Sequence, residues 1–307
     1  MTKTDVNLAV DIGGLTISNP IMPASGAFGK GMEEFLDFNL IGAVVPKSIT
    51  KYPQKGNKNP RACETFGGMI NSIGIQSDGI DKYLNHTVPY YQQYDVPLIS
   101  SISAESVEEF EEMSEMIAGS PDVAALELNI SCPNLENNGE AFGMDEDITY
   151  EVVHKVRQIT DKPILVKLTP NVTNIQKIAL AAERGGADSL VVANTLLAMA
   201  IDIHSQQPKV GNVMGGLSGP AIKPVIVRQI FQVREVSNLP IIGCGGIMNA
   251  DDAIEMILAG ATAVQVGTAS FVNPSVMKDM IEGIRAYMEQ YQYQTIYELV
   301  GKTMDRI

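Results

Sequence analysis

The chain predicts a single α/β domain spanning residues 1–307, built as a (β/α)8 barrel with an N-terminal β-hairpin and a helical C-terminus. Three observations carry that prediction. Short apolar runs rich in Val and Ile recur eight times, which is the pattern of parallel strands buried on both faces. Stretches with apolar residues at three- and four-residue spacing lie between them, the pattern of one-sided helices. No linker or low-complexity segment divides the chain.

Taken in order, residues 6–18 read as a short hairpin turning at Gly13 and Gly14. The eight strand candidates are 20–25 (PIMPAS), 42–49 (GAVVPKSI), 97–103 (PLISSIS), 124–130 (AALELNI), 163–168 (PILVKL), 189–193 (SLVVA), 240–243 (PIIG) and 263–267 (AVQVG). Helices are expected over 106–118, 145–159, 174–184 and 250–258, among others. Thr173 and Asn249 precede two of these as caps, and Gly119, Gly185 and Gly260 follow three of them. The long excursions 50–81, 133–145 and 198–217 are expected to be loops over the C-terminal mouth of the barrel.

Composition narrows the function. The formal charge of -14 argues against a nucleic-acid or anionic-membrane partner, and it requires any anionic substrate to meet a local cationic pocket. The three cysteines, Cys63, Cys132 and Cys244, are far apart and form neither a disulfide framework nor a CxxC pair, as suits a reducing cytoplasm. His86, His154 and His204 lack metal-ligand spacing, so no metal is predicted. The segment MTKTDVNLAV has no long apolar region, and the apolar tract 189–201 is too short to span a bilayer, so neither a secretory signal nor a membrane span is expected.

The chemistry gathers at strand ends. Residues 124–134 (AALELNISCPN) begin as an apolar strand and open into Asn129, Ser131, Cys132, Pro133 and Asn134. A thiol titrates near pH ~8.5 and can be tuned downward, so Cys132 is a candidate proton-transfer group or nucleophile; the plain alternative is a buried cysteine before a proline turn. Asn129 and Asn134 offer donors and acceptors to a polar ligand. Lys47 and Lys167 lie in otherwise apolar strands, where a cation needs an anionic ligand or a carboxylate of the fold. Asn194-Thr195 ends the sixth strand, and Asn71 sits in a glycine-rich loop. Cys244-Gly245-Gly246-Ile247 follows the seventh strand and Gly267-Thr268 the eighth, the usual place for a phosphate site in a barrel. Residues 215–220 (GGLSGP) either add backbone donors there or form a hinge. Together these residues describe a site for a planar, polar, anionic ligand beside a phosphate-bearing cofactor.

The stretches NPIMPASGAFG, PKSIT, NSIGIQ, LELNISCPN, VKLTPNV, ANT, GGLSGPAIKP, IIGCGGI and VQVGTASF resemble the class 1 dihydroorotate dehydrogenases over nearly the whole chain. CPN followed by LENNGEAFGMD, and the GGLSGPAIKP segment, are most similar to the catalytic subunit of the NAD-linked, two-subunit type. The resemblance implies FMN and oxidation of dihydroorotate to orotate in de novo pyrimidine (UMP) biosynthesis, beside the cytoplasmic location that the cysteines suit. It implies Cys132 as the base for the C5 proton, with the C6 hydride passing to flavin N5. Lys47, Asn71, Ile73, Gly74, Ile75, Asn129, Asn134, Asn194 and Thr195 would hold the substrate. Ala24, Ser25 and Gly26 would line the flavin ring, Lys167 would stabilise its reduced form, and Gly219, Gly245, Gly246, Gly267 and Thr268 would hold the phosphate; Lys47, Ser48, Ser101, Asn129 and Ala193 complete the implied cofactor set.

Two positions depart from the family pattern: Ser101 stands where asparagine is expected, and Ser77-Asp78 where Asn-Pro is expected. The sequence has no CxxC array for an iron–sulfur cluster and no second nucleotide-binding loop. NAD-linked turnover would therefore need a partner, and the resemblance implies a homodimer or a heterotetramer with an iron–sulfur/FAD electron-transfer subunit. Three other readings stay open: a fumarate-dependent homodimeric enzyme, a flavin oxidoreductase of another dihydropyrimidine such as dihydrouracil, and a phosphate-binding barrel without redox activity.

Overall fold

The computed structural model describes residues 6–131 and 141–306. Seven parallel strands form one curled sheet in the order Ile21–Pro23, Ala263–Val266, Ile241–Cys244, Ser189–Val192, Ile164–Lys167, Ala125–Asn129, Ile99–Ile102. Residues 42–49 close it into a barrel. Val44 bridges Leu98 and Ile49 bridges Ile102 in parallel, and the Gly42 N–H donates to the Ile21 carbonyl at 2.8 Å on the other side. Between Val44 and Ile49 the regular ladder lapses, consistent with Pro46, which has no N–H to give. The sequence-predicted second strand is thus an interrupted stave, while the other seven match their predicted runs.

The hairpin pairs Val10 with Ile17 and Asp11 with Thr16. The Asp11 carboxylate accepts from the N–H groups of Gly13 and Gly14, both at positive φ, which is why glycine suits the turn. Helices pack outside the barrel, with caps that explain their starts. Ser106 accepts from the Glu109 N–H ahead of Val107–Ala118, and Asp145 from Asp147 and Ile148 ahead of Glu146–Ile159. Asn249 does the same ahead of Ala250–Ala259. One cap differs from expectation: Ile175–Gly185 is capped by the Asn174 side chain rather than by Thr173, and its left-handed terminator is Gly186. The C-terminus is helical as predicted, with Val276–Tyr291 the longest helix there.

The excursions 50–81 and 198–217 are more ordered than loops. Ala62–Thr65 pairs with Gly68–Asn71, which pairs with Gly215–Ser218, which in turn pairs with Leu196–Ala198. The result is a four-stranded antiparallel sheet above the barrel mouth. Glycine permits the close approach: a Cβ on Gly215 would come within 2.4 Å of the Asn71 carbonyl oxygen, and one on Gly68 within 2.1 Å of that of Ser218. Most of the excursion 133–145 lies outside the described residues.

Candidate active site

Under this sheet, at the C-terminal ends of the strands, lies a cavity of about 450 Å³. Its lining joins the barrel strands to the upper sheet. Ala24, Ser25 and Gly26 come from the first strand, Lys47 and Ser48 from the closing stave, and Asn71 and Ile73 from the sheet. Asn129, Lys167, Ala193, Asn194 and Thr195 come from the middle strands, and Gly219, Gly245, Gly246, Gly267 and Thr268 from the glycine-bearing end. Two lysines and no acidic residue line the cavity among the described residues, so an acidic protein holds a locally cationic pocket.

The polar side chains are pre-arranged by one another. Asn194 Nδ2 donates to Asn129 Oδ1 at 3.1 Å, while Asn194 Oδ1 accepts from the Thr195 N–H at 2.8 Å. This chain fixes the amide orientations and leaves Asn129 with its amide donors available to the cavity. Thr195 packs over Gly216, where a Cβ would come within 2.0 Å of its Oγ1. Asn71 Nδ2 reaches the Gly216 carbonyl at 3.4 Å. At the opposite end Thr268 Oγ1 donates to Ser218 Oγ at 2.8 Å.

The glycines of this wall differ in what they are for. A Cβ on Gly246 would come within 2.7 Å of the Lys223 backbone, and one on Gly219 within 2.7 Å of Gly68 Cα, so the fold itself demands both. Gly267 is different. Its φ lies outside the left-handed region, and an added Cβ would meet nothing closer than Ala24 Cβ at 3.7 Å. Neither backbone nor neighbours require glycine there; what a methyl group would intrude on is the cavity.

Lys167 is nearly buried and belongs to a charged cluster. Its Nζ donates to Gln265 Oε1 at 2.9 Å, Gln265 Nε2 donates to Glu127 Oε2 at 2.5 Å, and Glu127 Oε1 lies 3.8 Å from the ammonium. The strands bearing Lys167 and Gln265 have two others between them in the sheet, so these side chains meet across the barrel interior. Burial pulls the Lys167 ammonium down, but Cys244, when its thiol ionises, and Glu127 facing it push it up, and the net shift is upward. Burial also pushes the Cys244 thiol up, which keeps it protonated at neutral pH. The anion that faces Lys167 is therefore Glu127.

Three predicted residues stand away from the lining. Ser101 is buried behind Ser48, their hydroxyls 2.9 Å apart. Gly74 packs tightly on Asn57, and Ile75 sits at φ 47° in the same loop. Cys132 and Asn134 lie outside the described residues. The other departure, Ser77, ties its loop down, its hydroxyl accepting from the N–H groups of Thr50 and Gly79. Sequence reasoning missed several lining residues. Ser218 sat unweighted inside a recognised glycine motif, Cys244 was read as the head of the phosphate loop without a role for its side chain, and Phe271 carries no local signal. It also missed Asn171, whose amide bonds the Thr195 carbonyl and the Leu197 N–H and so supports the Asn194-Thr195 turn.

A model of the dihydroorotate dehydrogenase family matches residues 7–288. The chain belongs to this family. It is 49% identical over 300 residues to the protein named dihydroorotate dehydrogenase B (NAD(+)), catalytic subunit, of Alkaliphilus metalliredigens, covering 97% of this chain and 99% of the relative. Proteins of the same name from Desulforamulus reducens and Geobacillus kaustophilus are 49% and 47% identical, each over 96% of this chain and 98% and 95% of the relative. The family is one of flavin-dependent oxidoreductases, and the curled parallel sheet with its outer helices is consistent with the barrel fold of that family. Among the described residues, no helix is long and apolar enough to cross a membrane.

Proposed function

We propose that this chain is the FMN-bearing catalytic subunit of an NAD-linked dihydroorotate dehydrogenase, oxidising dihydroorotate to orotate for pyrimidine synthesis. The observation that carries the reading is the single cavity joining an amide-rich, lysine-bearing end to a glycine-bearing end. The cavity fits FMN. Gly267 leaves open space on the cavity wall that a phosphate could approach, and the Thr268–Ser218 pair beside it offers hydroxyls suited to one.

Gly219, Gly245, Gly246, Gly267 and Thr268 would hold the phosphate, and Ala24, Ser25, Gly26 and Lys167 would border the ring. Bound FMN supplies the acceptor for the C6 hydride. The protein supplies orientation: Asn71, Asn129, Asn194 and Thr195 meet the diamide ring of the substrate, and Lys47 meets its carboxylate. Cys132 takes the C5 proton, and the amides left unpaired by a wrong ligand would disfavour it. A partner of iron–sulfur/FAD type would carry electrons on to NAD, a reading supported by the names of the relatives. We also take the catalytic chain to be a cytoplasmic homodimer within that assembly.

The test uses the purified chain alone. A flavin spectrum that bleaches on anaerobic addition of dihydroorotate supports the reading. NAD turnover should then need a partner, and fumarate should not replace NAD. Bleaching by dihydrouracil in place of dihydroorotate would move the substrate, and a colourless chain that cannot be loaded with FMN would overturn the assignment. Replacing Cys132 by Ala should keep flavin bound yet slow bleaching about 10²–10⁴-fold. Wild-type bleaching should accelerate as pH rises through the thiol's titration, because the thiolate is the base. An equally fast Cys132→Ala variant would remove the cysteine from the chemistry.

A further inference from the structure

Barrel interiors are usually filled by layers of Val, Ile and Leu. Here one layer holds Glu127 and Gln265, both 0% exposed, below a lysine that is 4% exposed. A carboxylate in such a place is costly unless its charge is matched. Glu127 Oε1 accepts no hydrogen bond, and the carboxylate is anchored through Oε2 to Gln265, which in turn holds Lys167. Glu127 does not line the cavity, whereas Lys167 does. The carboxylate therefore acts on the site through the lysine.

We propose that Glu127, linked through Gln265, is a positioning residue that keeps Lys167 a fixed cation at the cavity wall, so that the site accepts negative charge on bound flavin without first taking up a proton. The proposal rests on the FMN reading given above. The groups facing Lys167 are Glu127 and Gln265 from two strands and Cys244 from a third, and the thiol is neutral in the working range. Remove Glu127 and nothing anionic in this cluster holds the lysine charged. A buried lysine without a counter-ion sheds its proton, and forming an anion beside it then requires proton uptake.

The probe is sulfite, which adds to oxidised flavin and places negative charge on the ring. Its affinity is measured by flavin bleaching against pH, in FMN-loaded wild type and Glu127→Gln. The variant's affinity should fall more steeply as pH rises above neutral, by up to about tenfold per pH unit beyond the wild-type slope, the mark of one additional proton taken up. Glu127→Asp, which keeps the charge, should restore the wild-type slope. Parallel lines for wild type and Glu127→Gln overturn the proposal, since a merely structural carboxylate would leave the slope unmoved.

Should Glu127→Gln not fold, the wild type remains a test. Calorimetry of sulfite binding at alkaline pH, in buffers of different ionisation heat, counts protons taken up; none is expected, and one overturns the proposal. A chain that binds no FMN fails at the earlier reading instead. A chain that binds FMN with parallel lines fails only here.

Discussion

Lys47 and Lys167 occupy equivalent places, each at the C-terminal end of a barrel stave and each on the cavity wall, yet the fold treats them differently. Lys167 is buried and locked to Gln265 and Glu127. Lys47 is exposed and runs across Gly26, where a Cβ would come within 2.7 Å of its Cδ and 3.3 Å of its Nζ. Gly26 thus makes room for the stem of Lys47 while leaving the ammonium at the cavity. One lysine has its charge balanced inside the protein while still reaching the cavity wall. The other is exposed on the cavity wall of an acidic protein, where under the proposed function it would meet an incoming anion. Of the two sequence readings of a strand lysine, structural pairing is realised at Lys167, and ligand binding is what we propose for Lys47.

The comparison is most sharply broken at Lys167. Lys167→Met leaves Glu127 as a buried charge without its cation, so the chain should lose about 3–5 kcal/mol of stability, read as a lower midpoint in urea unfolding. The double variant Lys167→Met/Glu127→Leu removes both charges and should recover most of that loss. A single variant as stable as wild type would show that the carboxylate is not charged in the fold, and the contrast between the lysines would collapse.

Lys47→Ala should do the reverse. Stability should stay within about 0.5 kcal/mol, because the side chain is exposed. Affinity for orotate, followed by its perturbation of the flavin spectrum, should fall by about 2 kcal/mol, roughly 30-fold, as for a lost charge-assisted bond. Unchanged orotate affinity would take the substrate carboxylate away from Lys47.

Much of the site was legible because a barrel gathers its strand ends whatever lies between them. Lys47, Asn129, Lys167, Asn194 and the glycines of residues 245, 246 and 267 could each be placed from a local apolar run and its terminus. What stayed hidden depends on pairing between distant segments. Glu127 looked like a spacer in an apolar strand, since nothing local reveals that Gln265, 138 residues on, receives it. The upper sheet was read as loops because Gly68–Asn71 and Gly215–Ser218 are short, glycine-bearing and stabilised only by each other. At 42–49 the apolar run was visible, but the lapse in its ladder around Pro46 was not. Local pattern reports which face of an element is apolar; it does not report which polar groups meet across the interior.

The smallest predicted effect tests the other wall of the cavity. Gly246 and Gly219 are demanded by close backbone contacts, so substituting them confuses fold with function. Gly267→Ala separates the two. Its added methyl would sit in ordinary contact with Ala24 at 3.7 Å, and its backbone is already in a region open to any residue, so unfolding of the flavin-free chain should be unchanged or slightly strengthened. The same methyl projects where the phosphate end of the cofactor would pack, and FMN affinity should weaken by about tenfold, or 1.4 kcal/mol. Flavin fluorescence during titration reads the affinity, and urea unfolding reads the fold. A variant that keeps both would mean that no ligand approaches Gly267 closely, which would move the phosphate towards Gly245 and Gly246. A variant that loses affinity alone would make this glycine a contact with the cofactor, a role that close packing does not impose on it as it does on Gly246 and Gly219.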